Sequence, residues 1–199
     1  MNRLVLATRN AHKIVEMTAL LSPLGLPLLS LEDFPPFPEP AEDGATFEEN
    51  ALIKAMATAR TLGEWALADD SGLVIDALDG RPGIYSARYA PDNPGRIARV
   101  LSELEGVPSE KRTARFVCAM VLAAPDGRTW AETATCEGLI HTEPVGMQGF
   151  GYDPVFRIPE MDRTMAELAP EEKNLLSHRG RAAAKMRGII QKVIDSGRL

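Results

Sequence analysis

Hydrophobic and polar positions fall into short, well-bounded blocks along this chain. Arg3-Leu4-Val5-Leu6-Ala7-Thr8 is compact, branched and apolar, which predicts a buried strand over residues 3–8. Ile14, Met17, Leu20 and Leu21 recur at helical spacing, so a helix is expected over 11–22, closed by Gly25 and Pro27. Pro35, Pro36, Pro38 and Pro40 sit among acidic residues and predict a stiff, solvated loop over 33–44. That loop runs into Thr46-Phe47-Glu48-Glu49, the spacing of a capping box. A helix should follow over about 47–62 and stop at Gly63. On it, Asn50 and Lys54 are four apart and share one face.

Trp65-Ala66-Leu67-Ala68 predicts a second buried strand that ends in a turn at Asp69-Asp70-Ser71-Gly72, with Leu73–Leu78 as a further strand. Ile97, Val100, Leu101 and Leu104 predict a helix over 94–104. Residues 114–124 form the longest apolar run and predict a central strand. Asp126-Gly127 is a hairpin signal, and residues 128–140 alternate as the partner strand. A last helix is expected over about 180–195. The order implies a mixed α/β fold around a long mixed or antiparallel sheet, with residues 1–199 as one domain. The chain shows no internal repeat and no low-complexity tail.

Composition narrows the function classes. The 199 residues are 45% hydrophobic and 25% charged, as in ordinary globular proteins. A net charge of −6 argues against sequence-independent binding to a nucleic-acid polymer, which needs a basic face. It leaves room for a small phosphorylated ligand held by a few placed cations. Apolar runs are far short of the ~20 residues that span a bilayer, and the first apolar stretch is too short for a signal peptide. A cytoplasmic protein without membrane partners is expected. Cys118 and Cys136 lie in strand-like stretches and read as buried free thiols.

Four clusters carry candidate chemistry. Thr8, Asn10 and Lys13 lie between a strand and a helix start, where backbone N–H groups and an ammonium suit a polyphosphate; polar turns before helices are also common. Asp69-Asp70 offers a carboxylate for Mg²⁺ or for water activation, or else a plain Asx-turn. Because strand neighbours face opposite ways, only one of the pair should face a given pocket. Gly149-Phe150-Gly151-Tyr152-Asp153-Pro154 joins backbone freedom to ring faces that suit a base, or is a glycine-rich connection. Finally, Glu171-Glu172-Lys173 precedes Ser177-His178-Arg179-Gly180. A basic helix start opposes the macrodipole and hints at a task other than stability.

In order, T-x-N-x-x-K, E-x-G-x-T-F-x-E-N-A, A-D-D-S-G-L, P-G-x-Y-S-A-R-Y, G-F-G-Y-D-P, E-K and S-H-R-G run from Thr8 to Gly180. Together they resemble the non-canonical purine nucleoside triphosphate pyrophosphatases, the inosine/xanthosine triphosphatases called Ham1-like or RdgB-like. The resemblance implies an elongated fold of two lobes with the active site in the cleft between them, usually as a homodimer. It implies hydrolysis of ITP, dITP and XTP to the monophosphate and pyrophosphate with Mg²⁺, as house-cleaning of the nucleotide pool. By position, the stretch Thr8, Arg9, Asn10, Ala11, His12 and Lys13 would hold the phosphates, with Lys54 adding charge. Arg9 and His12 stand where many members carry small residues. Asp70 would be the catalytic base, Glu42 and Asp70 the metal carboxylates, and Ser71 a substrate contact. Phe150, Gly151, Tyr152 and Asp153 would line the base pocket. Lys173, His178 and Arg179 would read the base edge, Arg179 favouring a six-oxygen over an amino group. The competing readings are a Maf-like pyrophosphatase for other modified nucleotides and a nucleotide-binding sensor without turnover.

Overall fold

The computed structural model describes residues 2–196; Met1 and residues 197–199 of the expected domain lie outside the described residues. Seven strands form one sheet in the order β2-β1-β3-β4-β5-β6-β7. They are β1 (Leu4–Leu6), β2 (Leu28–Ser30), β3 (Ala66–Ile75), β4 (Thr113–Ala123), β5 (Thr129–Ile140), β6 (Phe156–Ile158) and β7 (Arg163–Thr164). β1 pairs in parallel with β2 and β3, whereas β6 runs antiparallel to β5 and β7, so the sheet is mixed as expected. The helices are α1 (Ala11–Leu21), α2 (Phe47–Leu62), α3 (Asn93–Glu103), α4 (Pro170–Leu176) and α5 (His178–Asp195). No helix among the described residues is long and apolar enough to cross a membrane.

The chain divides into two compact units. Among the described residues, the first holds 2–70, 118–134 and 179–196. Its core has two layers. Leu4, Leu6, Leu67, Met120 and Leu122 pack with Met17 and Leu21 of α1 and with Met186 and Ile190 of α5. Ala7, Ala66, Ala68, Val121 and Ala123 pack with Ala51, Ala55 and Ala59 of α2. The alternation of a strand thus sends Leu67 to α1 and α5, and Ala66 and Ala68 to α2. Alanines on both surfaces let α2 lie close to the strands.

α2 starts and stops where its sequence dictates. Thr46 Oγ1 accepts from Glu49 N at 3.1 Å, and Gly63 takes the left-handed C-cap at φ 66°. The Glu49 carboxylate accepts from Ala45 N at 2.6 Å, one residue earlier than a capping box would have it.

The second unit holds residues 71–117 and 135–178. Leu73 and Ile75 of β3, Ile97, Val100 and Leu104 around α3, and Tyr152, Val155 and Phe156 build its core. Helix α3 is capped by Asp92, whose carboxylate accepts from Gly95 N at 2.7 Å. The short 3₁₀ segment Gly83–Arg88 and helix α4 carry too few residues to give a periodic signal in sequence.

Two expectations are overturned: the strand foreseen over 73–78 stops at Ile75, with Asp76–Leu78 forming a 3₁₀ segment, and the turn foreseen before it is absent. Asp69-Asp70-Ser71-Gly72 is not a turn; β3 runs unbroken from Ala66 to Ile75. An Asx-turn needs its side chain to bond the local backbone, but here Asp69 and Asp70 reach lysines and an arginine far along the chain.

Candidate functional site

The strand period continues through the aspartates of the first unit. Asp69 follows Leu67 toward α1 and α5; Asp70 follows Ala68 toward α2. Each finds a different set of cations. Asp69 Oδ2 lies 2.9 Å from Lys13 Nζ on α1 and 3.3 Å from Arg179 Nη2 on α5. Arg179 also donates through Nη1 to Glu16 Oε2 at 2.6 Å. Its guanidinium is 3% exposed, and its pKa is raised; burial opposes the charge, but Asp69 and Glu16 outweigh it. The Arg179 charge at the start of α5 thus faces two carboxylates.

On the other side, Lys54 Nζ lies 3.1 Å from Asp70 Oδ1 and 3.3 Å from Glu42 Oε2. Asn50 Nδ2 donates to Asp70 Oδ2 at 3.4 Å. The shared face of Asn50 and Lys54 therefore grips both oxygens of one carboxylate. Burial pushes the Asp70 carboxyl above its ordinary value, against the opposing pull of Lys54 and Lys13. Lys54 is held above its usual range: burial works to lower it, but Asp70, Asp69 and Glu42 together prevail. Among the described residues no group of three or more His, Cys, Asp or Glu side chains could hold a metal. What is present at Lys54 is a pair of carboxylates converging on one cation.

At the start of α1 the phosphate-like features are partly self-satisfied. Asn10 Oδ1 accepts from His12 N at 3.0 Å and Lys13 N at 3.3 Å, so those N–H groups are not open as the sequence alone suggested. Asn10 N donates to Thr8 Oγ1 at 3.2 Å, and Arg9 Nε pairs with Glu39 Oε1 at 2.8 Å. Arg9, Asn10, Ala11 and His12 are exposed, and Thr8 and Lys13 half-buried. Ser71 follows Asp70 in β3 and is half-buried.

The second unit gathers the aromatic and C-terminal candidates. Asp153 Oδ2 accepts from Phe150 N at 2.8 Å and from Lys173 Nζ at 2.6 Å, a pair in which both side chains are buried. Lys173 Nζ also sits 5.0 Å from the Phe150 ring centroid. Gly149, at φ +73°, makes this possible: a Cβ there would lie 2.0 Å from Asp153 Oδ2. His178 stacks on Phe116 with centroids 4.7 Å apart. Gly151 continues the loop, but Tyr152 is buried and its hydroxyl donates to Ser86 O at 2.9 Å. Its ring belongs to the core, where Ile97 and Phe156 are also buried. Burial raises the Tyr152 phenol above its usual range. Beside this loop, a groove of about 480 Å³ is lined by Ile97, Leu101, Met147 and Phe150 among others.

Sequence reasoning missed Glu16, which lies three residues after Lys13 on α1 and shares its face. It also missed Asn50 as a partner of Asp70, although the shared face with Lys54 was the signal. Arg179 was expected on a base edge, and the structure places its guanidinium on Asp69 and Glu16.

A mixed α/β sheet with lysines paired to strand-borne aspartates, and a second unit built around an aromatic loop, defines a class of protein with many relatives. Residues 4–189 match the model of the Ham1 family, and the chain belongs to that family. It is 53% identical over 94% of its length to a dITP/XTP pyrophosphatase of Geobacillus kaustophilus, covering 93% of that protein. It is 55% identical to a dITP/XTP pyrophosphatase of Geobacter sulfurreducens, covering 94% of this chain and 96% of that one. A solved HAM1 protein from Coxiella burnetii superposes with a TM-score of 0.87 at 41% identity, over 96% of this chain and 100% of that one.

Proposed function

We propose that this chain hydrolyses inosine- and xanthosine-type purine nucleoside triphosphates (dITP, XTP and ITP) to the nucleoside monophosphate and pyrophosphate. The observation that carries the reading is Asp70, a buried carboxylate beside Glu42 and held by Lys54 in a chain half identical to dITP/XTP pyrophosphatases. A water placed against Asp70 loses its proton to that carboxylate and attacks the α-phosphorus. The bond from that phosphorus to the oxygen bridging to the β-phosphorus breaks, and pyrophosphate leaves. Burial supports the role of Asp70, because a carboxylate with a raised pKa is a stronger base.

Lys13 and Lys54 supply positive charge to the phosphates. Lys54 already stands between Glu42 and Asp70, so those two carboxylates form a locus that accepts a cation. Mg²⁺ fits such a locus, since it keeps several waters and needs only one or two protein carboxylates besides substrate phosphates. When bound, it would polarise the phosphoryl oxygens and offset charge on the leaving group. In the second unit, the Phe150 ring and the Asp153–Lys173 pair offer a stacking face and polar groups to a purine. Thr8, Asn10, Ser71 and His178 complete the proposed set, with Arg179 supporting it through Asp69, and with the homodimer and the cytoplasm as its setting.

A turnover panel with Mg²⁺ tests the reading. Purified protein given dITP, XTP, ITP, GTP and ATP should release monophosphate and pyrophosphate, with the first three strongly preferred. Diphosphate plus orthophosphate, or tight binding without turnover, would overturn it.

A further inference from the structure

Asn50 is a fully buried polar side chain. Its two polar ends are committed to different segments. Oδ1 accepts from Gly44 N at 3.0 Å, and Nδ2 donates to Asp70 Oδ2 at 3.4 Å. The orientation follows from the chemistry: only the amide oxygen can face a backbone N–H, so the NH₂ must face the carboxylate.

One turn further along α2, Lys54 takes the other Asp70 oxygen and also reaches Glu42. Two donors four residues apart on one helix thereby fix the plane of the Asp70 carboxylate. The Glu42-bearing loop is pressed onto the same helix. A Cβ on Gly44 would lie 2.7 Å from Glu49 Cβ and 2.9 Å from Asn50 Oδ1, and Glu49 itself holds Ala45 N.

We propose that Asn50 is a positioning residue. It acts through Asp70, holding that carboxylate in register with the Gly44 loop so that Glu42 and Asp70 keep their spacing. This rests on the reading of Asp70 as the base. The rigid coupling has a physical rationale, because a general base must stay within hydrogen-bond reach of its water. Without the amide, Asp70 keeps only its Lys54 contact and can rotate about it.

A double-mutant cycle on kcat with dITP tests this, using Asn50→Ala, Asp70→Asn and the pair, with single-turnover assays for the slow variants. Asn50→Ala should lower kcat about tenfold and KM by less than about threefold, the pattern of a lost transition-state interaction. Asp70→Asn should lower kcat by ~10²–10⁴. In the Asp70→Asn background, the Asn50 change should cost less than about threefold, since residues acting as one unit are not additive. An undiminished tenfold cost in that background means Asn50 acts independently of Asp70, and the inference fails while the base assignment stands. Near-normal kcat in Asp70→Asn alone overturns both. Should Asn50→Ala fail to fold, Asn50→Asp takes its place in the cycle: it keeps an acceptor for Gly44 N, removes the donor to Asp70 and sets a like charge against that carboxylate, so its cost in kcat should shrink when Asp70 is already Asn. The same non-additivity is expected of it.

Discussion

Two neighbouring aspartates show how much a single residue step decides. Asp69 and Asp70 have the same chemistry, but the strand period sends them to different helices. Asp69 pairs with Lys13 and Arg179, while Asp70 keeps the company of Glu42. Sequence alone could say that only one would face a given pocket; it could not say that the strand continued past them. That required the long-range lysine and arginine partners, which no local pattern encodes. Arg179 makes the same point. Its sequence neighbourhood suggested base selectivity, but its donors lie on Asp69 and Glu16. Removing it would strand two carboxylates in a buried cluster. Arg179→Ala should therefore destabilise the protein by about 3–5 kcal/mol, as breaking a buried ion pair does. Urea unfolding at pH 7 measures this, and a loss below about 1 kcal/mol would show the pairs to be dispensable.

At the scale of elements, α2 was the most legible part of the chain. Its cap, its glycine stop and the face shared by Asn50 and Lys54 were all written locally. The reason is that capping and i,i+4 spacing depend on a few adjacent residues. The alanines that bring it close to the strands are equally local, but their partners Ala7, Ala66 and Ala68 are not. Strand β1, the hairpin of β4 and β5, and helices α1, α3 and α5 were also legible from period and turn residues. The continuity of β3 was not, because Asp-Asp-Ser-Gly has turn chemistry in isolation. Thr46 offers a test at this scale. Thr46→Ala removes the acceptor for Glu49 N and should cost about 1 kcal/mol of stability. Because the loop to Glu42 leaves from this point, kcat should fall as well. Calorimetry and steady-state kinetics on one sample check both, and an unchanged Tm would exclude a working cap.

Across the whole molecule, each unit carries its own core, so each has its own determinants of stability. In the second unit, Glu103 gathers Tyr89 Oη at 2.6 Å, Arg99 Nε at 2.8 Å and Arg81 Nη1 at 2.9 Å. The Tyr89 hydrogen bond, helped by Arg99 and Arg81, holds its carboxyl below its ordinary value against the opposing effect of burial. The folded chain thus binds that proton less tightly than the unfolded chain does. The stabilisation is full above the ordinary glutamate range and is lost as pH falls through and below it. Glu103→Gln should be less stable than the parent at pH 7 by about 1 kcal/mol or less, because the group is near the surface. The gap should narrow as pH falls through and below the ordinary glutamate range, and a gap that does not change with pH there in urea titrations would refute the assignment. Function is a property of the whole chain, and its central claim is the atom that water attacks. One turnover of dITP in ¹⁸O-water, with the products separated and weighed, tests it most directly. The account requires the label in the monophosphate alone, as attack on the α-phosphorus demands. Label in pyrophosphate, or in inorganic phosphate, would contradict it.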